Sequence, residues 1–425
     1  MYTYIYILTV VTLLWMPCGF AGAQETFRTE IFRDDIKSLE IKVDGELLSE
    51  PFIELNGNRR IKIIFDALHH SSGRFAYSVI HCDADWKKSA LLPIEYMKGF
   101  QHVTIEDFAN SMNTMTHYTN YQVFFPNEEM QLTVSGNYVI QVYEEDDMEN
   151  IIFTACFSVV EPLIAIDASI SGNTDIDFNK AHQQVDFTIN QTNINITYPQ
   201  NDLKIFVYRN NDRNDIRTDI QPSVVINKQF LYKHNRDLIF EAGNEYRRIE
   251  FPTHRYNGMG VEKTGFYNPY YHVTLFRERK RAANTYLYDQ DQNGRFFIHC
   301  SECQDPDTEA DYCVVHFSLE SEFMHDGDIH IAGDLFNNII DGRSRMEYNT
   351  ETGSYEKPVM LKQGLYNYHY VFVAKGAAKA TLNETEGNFF ETENEYTIAV
   401  YYRPMGARYD RLIGVKTAGG NQDRP

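Results

Sequence analysis

The sequence predicts an all-β fold: three consecutive β-sandwich (immunoglobulin-like) units after a cleaved signal peptide. Two observations carry this expectation. Short runs with period-two alternation recur along the chain, each bounded by Gly, Asn, Asp or Pro, as many short strands joined by tight turns require. The clearest are "RRIKIIF" (59–65), "RFAYSVI" (74–80), "GNYVIQVY" (136–143), "DLKIFVY" (202–208), "DIHIAG" (328–333) and "LYNYHYVF" (365–372). The composition agrees, because 29 Tyr and 28 Phe against 2 Trp suit pleated, half-buried surfaces. Long amphipathic helical patterns are scarce, and "PIEYMKGFQHVTIEDF" (93–108) is the best candidate for a short helix or an irregular segment.

Residues 1–23 carry no charged side chain. An apolar core from Ile5 to Trp15 precedes Pro17, Gly19 and the small residues Ala21-Gly22-Ala23. This order predicts a secretory signal cut after Ala23. Pro17 and Gly19 interrupt the run of about 20 apolar residues that a retained membrane span needs. The chain then divides by composition into units at 24–161, 162–300 and 301–416, with a frayed tail at 417–425. Glu161-Pro162 marks the first division, and the acidic, Pro-containing "CSECQDPDTEAD" (300–311) marks the second. The formal charge of −21 argues against nucleic acid and against anionic lipid headgroups as partners. After cleavage five cysteines remain, Cys82, Cys156, Cys300, Cys303 and Cys313, too sparse for a disulfide scaffold.

The densest cluster of chemical side chains is "YSVIHCDADW" (77–86). On a strand, Tyr77, Val79, His81, Asp83 and Asp85 share one face, while Ser78, Ile80, Cys82 and Ala84 share the other. A Cys82–His81 nucleophile pair is disfavoured, because adjacent strand positions point apart. His81, Asp83 and Asp85 could ligate a divalent ion. The alternative is a strand that ends in an Asp-rich turn bonded to backbone amides. His69-His70 reads as a solvated loop, with a metal pair as the alternative. Cys300-x-x-Cys303 with Cys313 reads as one disulfide or as free thiols, since no second CxxC completes a zinc ribbon. Asp289 to Gly294 opens like a calcium loop but lacks the closing Glu, so a turn is expected. The stripe Tyr366, Tyr368, Tyr370, Phe372 is either a sugar-stacking platform or the packed face of a sandwich. No P-loop, nucleophile elbow, zincin motif or dinucleotide fingerprint appears.

Several stretches together resemble one family, the type IX secretion system plug proteins of Bacteroidetes, formerly a domain of unknown function. They include "PFIELNGNRRIKIIFD" (51–66), "YSVIHCDADWKKSALLPIEYMKGF" (77–100), "YTNYQVFFPNEEMQLTVSGNYVIQVYEEDD" (118–147) and "EAGNEYRRIEF" (241–251). "DQNGRFFI" (291–298), "LKQGLYNYHYVF" (361–372) and "ETENEYTIAVYYRPMGARYDRLIGV" (391–415) extend the likeness over nearly all of the mature chain. The resemblance implies a non-enzymatic periplasmic protein with no cofactor and no catalytic residue. It would dock on the periplasmic mouth of the outer-membrane translocon barrel and block the pore when no cargo is exported. It would act without inserting in the membrane, as a monomer within a larger complex. The loop "KTGFYNPYYH" (263–272) is a candidate contact, or else is packed between domains. A fainter similarity links "IHIAGDLFNN" (329–338) to glycogen-binding-type modules, but Ile339 stands where that pattern favours Trp. Two further functions compete: an exported glycan-binding protein, and a metal-dependent hydrolase using His81, Asp83 and Asp85.

Overall fold

The computed structural model describes residues 26–69 and 73–419. The expected signal segment, His70 and the last residues of the tail lie outside the described residues. Strands dominate, and most pair antiparallel. Among the described residues the three largest hydrophobic cores each lie between two sheets.

In the first sandwich, one sheet runs Glu30–Ile31, Asp147–Val160, Gly136–Glu144, Phe75–Cys82, His102–Thr104. The facing sheet runs Ile36–Val43, Ile61–Ala67, Thr119–Phe125, Phe108–Asn110. Alternate residues of both sheets turn inward, so the period-two pattern becomes the core directly. Phe65 stacks on Tyr121 at 5.0 Å and meets Phe153 edge-on at 4.7 Å.

The second sandwich opposes two sheets of different origin. One contains Ile164–Ser171, His182–Gln191, Gln229–Tyr232 and Val224–Ile226. The other runs Asp212–Arg217, Leu203–Arg209, Glu395–Tyr402, Arg411–Gly419. Its core thus joins Val185, Phe187 and Tyr232 to Tyr396, Ile398 and Ile413. The third core, between those segments in sequence, joins Ile249, Phe251, Val273 and Leu275 to Phe317, Tyr366, Tyr368 and Tyr370.

The second and third cores therefore cross the 300/301 division that composition suggested. The polar stretch there holds a Cys300–Cys303 disulfide and the short helix Pro306–Glu309. It is a crossing within the third sandwich, exposed at Ser301, Glu302, Gln304 and Asp305, with Thr308, Ala310 and Asp311 buried. The last strand also runs past residue 416, to Gly419.

Residues 93–108 form one helical turn, Pro93–Tyr96, followed by the short strands Met97–Gly99 and His102–Thr104. Pro93 occupies the first turn, and Glu95 Oε2 accepts the Leu92 amide at 2.8 Å, which caps the turn. Gly99, the last residue of strand Met97–Gly99, has φ +109°, and a Cβ there would fall 1.9 Å from the Glu129 carbonyl oxygen.

Candidate functional site

The cluster around "HCDADW" is where the first sandwich meets the second. Strand Phe75–Cys82 pairs with Gly136–Glu144, placing His81 opposite Tyr138 and Cys82 opposite Asn137. The predicted parity holds. Tyr77 and Val79 enter the first core, and His81 lies on the same side, ringed by Tyr96, Tyr138 and Tyr409. Cys82 faces the other way with Val139, Cys156 and Trp86. Both imidazole nitrogens of His81 are satisfied, Nδ1 by Ser89 Oγ at 2.8 Å and Nε2 by the Ser135 carbonyl at 3.2 Å. Burial pushes its pKa down to about 4.

The strand ends after Cys82 in a turn, with the Trp86 amide donating to the Asp83 carbonyl at 2.9 Å and Trp86 at φ +62°. The three proposed ligands then diverge. His81 is buried, Asp83 accepts from the Asp410 amide at 3.1 Å and from Arg403 at 3.2 Å, and Asp85 pairs with Lys87 at 2.7 Å in solvent. The metal reading thus loses its geometry, because the turn re-aims each carboxylate at a different partner. No group of three potential ligands is gathered among the described residues.

What those residues hold is the neighbouring sandwich. Asp410, itself fully buried, accepts the Ala84 amide at 3.0 Å and Lys204 Nζ at 2.8 Å. Asn137 Oδ1 accepts both Ser158 Oγ and Tyr401 OH at 2.8 Å. The Arg213 guanidinium sits 3.5 Å from the centre of the Trp86 ring.

A second junction ties the first sandwich to the third. Lys362 Nζ lies 2.7 Å from Asp66 Oδ2, and each side chain is only 1% exposed. Asp66 also accepts Tyr312 OH at 2.6 Å and Asn120 Nδ2 at 2.8 Å. Lys362 also donates to the Asp307 carbonyl at 2.7 Å and faces the Tyr118 ring at 4.1 Å. Asp311 accepts the amides of Met115 and Thr116 at 2.9 and 3.0 Å.

All three sandwiches meet at Arg295, which pairs with Glu395 at 2.7 Å and approaches Glu50 at 3.7 Å. Burial pushes Glu50 up to about 7 despite Arg295. Inside the third sandwich, Glu386 is fully buried between Arg247 at 2.9 Å and Arg281 at 2.6 Å. Burial raises its pKa, but the two guanidiniums outweigh that and hold it at about 2. Neither the Lys362–Asp66 pair, 296 residues apart, nor the Arg247–Glu386 pair, 139 apart, was singled out by sequence reasoning, because nothing local in the chain marks such partners.

The remaining candidates resolve individually. Cys300 and Cys303 form a disulfide, and Cys313 is a buried thiol. His69 lies 3.6 Å from Asp35. Asp291 caps a turn, accepting the amides of Tyr246 and of Asn293. Tyr366, Tyr368, Tyr370 and Phe372 are all buried in the third core, with Tyr366 stacked on Phe251 and Phe296. That removes them as a sugar platform. Ile339 is buried too.

Among the many exposed apolar side chains of the described residues, two groups bear on docking. Residues 263–272 form the end of a hairpin, Val261–Tyr267 with Tyr270–Leu275, that leaves Phe266 45% and Tyr267 61% exposed. The second was not read from sequence: Leu92 and Ile94 stand beside the fully exposed Met405 loop. Arg408 joins the two loops by bonding Glu95 and the Ala90 carbonyl.

Residues 36–161 match the family described as "Type 9 secretion system plug protein 1st domain". A solved structure of a hypothetical protein from Parabacteroides merdae ATCC 43184 is 57% identical, with a TM-score of 0.92. The match covers 93% of this chain and 100% of that one. No curated relative matches.

Proposed function

The chain belongs to the type IX secretion system plug protein family, and on that premise we propose that it is a non-enzymatic periplasmic gate. It docks on the periplasmic mouth of the type IX outer-membrane translocon and blocks the pore when no cargo is exported. An N-terminal signal exports it, and it works at the inner face of the outer membrane. Among the described residues no helix is long and apolar enough to cross a membrane.

The observation that carries this reading is the set of buried polar clamps between sandwiches. A gate must occlude without deforming, and domains joined by small polar contacts would move against one another. Here Lys362–Asp66, Asp83 with Arg403, Asp410 on the Ala84 amide, and Arg295 with Glu395 tie the three cores together. Contact with the translocon is assigned to the Phe266–Tyr267 hairpin and the Leu92–Ile94–Met405 patch, exposed apolar groups of the kind that mark interaction sites. Such patches give an interface that cargo or a cycling partner can displace.

The test is affinity purification of the tagged mature protein from detergent-solubilised outer membranes of its own host. Co-recovery of a very large barrel protein is expected. Recovery of the protein alone at native expression would overturn the docking role.

A further inference from the structure

The crossing between strand Phe296–Ile298 and strand Tyr312–Glu320 has two halves. The second half carries contacts from the third sandwich to the first. The Thr308 carbonyl accepts the Met112 amide at 3.0 Å, and Asp311 accepts the amides of Met115 and Thr116. The Ala310 carbonyl accepts Tyr118 OH at 2.8 Å, and Asp307 Oδ2 accepts Gln122 Nε2 at 3.0 Å. Residues 307–311 are thus a strap laid across the junction. The first half is the root of that strap. Residues 299–305 form neither strand nor helix, so no backbone ladder holds them. They rest on the third sandwich through the Ser301 amide, which donates to the Pro252 carbonyl at 3.0 Å, and through Glu302, which accepts Thr253 Oγ1 at 2.6 Å. The Cys300–Cys303 disulfide closes this loop covalently. Two residues later Asp305 caps the helix Pro306–Glu309, accepting the Asp307 amide at 3.2 Å and Thr308 Oγ1 at 2.7 Å.

A disulfide acts mainly by removing conformations that its loop would otherwise explore, so cleaving it returns that freedom to the root of the strap. Access decides which disulfide can be cleaved without unfolding. Cys300 is buried, but Cys303 is half-buried and is flanked by the exposed Glu302 and Gln304. Cys82, Cys156 and Cys313 are buried free thiols. We propose that Cys300–Cys303 is a redox-modification site for a dithiol reductant, and that its cleavage loosens the strap 307–311 from the first sandwich. One thiolate of the reductant attacks the Cys303 sulfur, and a mixed disulfide forms as the Cys300 sulfur leaves and takes up a proton. The second thiol of the reductant then attacks its own sulfur in that mixed disulfide and releases Cys303. Two electrons and two protons pass to the protein, and the reductant departs as its own disulfide. Reoxidation closes the loop and restores the root.

Hydrogen exchange of the full mature chain, with and without dithiothreitol, tests this. Under native conditions dithiothreitol should make Cys300 and Cys303 open to alkylation while Cys82, Cys156 and Cys313 stay protected. The amides of Met112, Met115 and Thr116, which donate to the strap, should then exchange about tenfold faster. The amides of strand Gly136–Glu144, in the first core, should keep their rate. The double variant C300S/C303S should exchange as the reduced parent does and should not respond to dithiothreitol. A Cys300–Cys303 bond that resists dithiothreitol in the folded chain would overturn the proposal. So would reduction that leaves Met112, Met115 and Thr116 at the oxidised rate, or a folded C300S/C303S with that same rate. Acceleration shared equally by Gly136–Glu144 would overturn it as well, since that pattern marks global unfolding instead of release of the strap.

Discussion

Glu50 is the residue on which the three sandwiches converge, and its protonation links folding to pH. Its pKa is 4.5 when unperturbed and about 7 in the folded protein, raised by burial against the pull of Arg295. A carboxyl raised by folding binds its proton more tightly in the native state. Its contribution is therefore complete below about pH 4.5 and is lost as pH rises through 7. The expected loss is on the order of 3 kcal/mol, from a shift between two and three units. Glu50→Gln cannot ionise, so its melting temperature relative to the parent should rise between pH 5 and pH 8. An unchanged difference across that range would refute the role. At Lys362 the argument concerns the partner left behind. Lys362→Met would strand Asp66 in a dry site, and breaking a buried pair in this way costs about 3–5 kcal/mol. Urea unfolding at pH 7 should show that loss, and Asp66→Asn in the same background should recover part of it by removing the orphaned charge.

At the level of elements, the hairpin Val261–Tyr267 with Tyr270–Leu275 has two functions that can be separated. Tyr271 packs on His254 with ring centres 3.8 Å apart, while Phe266 and Tyr267 face solvent. The double variant F266S/Y267S should shift stability by no more than about 0.5 kcal/mol, as exposed positions usually do. It should nevertheless lower recovery of the translocon barrel in the affinity experiment. Thermal unfolding and recovery measured on the same preparation decide the point, and parental recovery would remove the hairpin from the contact surface. The turn that follows Cys82 illustrates how an element can resemble a metal site. A period-two count puts His81, Asp83 and Asp85 on one face, and the count holds as far as the strand does. Once Trp86 adopts φ +62° the register is broken, and the carboxylates turn to Arg403 and Lys87.

The whole molecule should behave as one cooperative body if the clamps act as described. Because the second core is completed by strands on either side of the third in sequence, the second cannot be excised as a contiguous piece. Calorimetry of the parent should give one transition, and Lys362→Met should broaden or divide it as the first and third sandwiches uncouple. Two resolved transitions in the parent would show that the clamps do not couple the sandwiches.

Strand positions and their inward faces were legible locally. The alternation in "LYNYHYVF" is set by each residue's own side of the pleat, so Tyr366, Tyr368 and Tyr370 could be assigned to one face before any partner was known. The short apolar runs and the scarcity of helical patterns likewise sufficed for the all-β class. Strand partnership was not legible. Leu203–Arg209 pairs with Glu395–Tyr402, and backbone hydrogen bonding between them carries no side-chain signature that identifies a partner almost two hundred residues away. The same holds for the clamps: Asp66 reads as an ordinary carboxylate, and only the fold brings Lys362, Tyr312 and Asn120 to it. Local side-chain periodicity is written in the chain, whereas long-range pairing and the burial of charge exist only once the sandwiches have closed on one another.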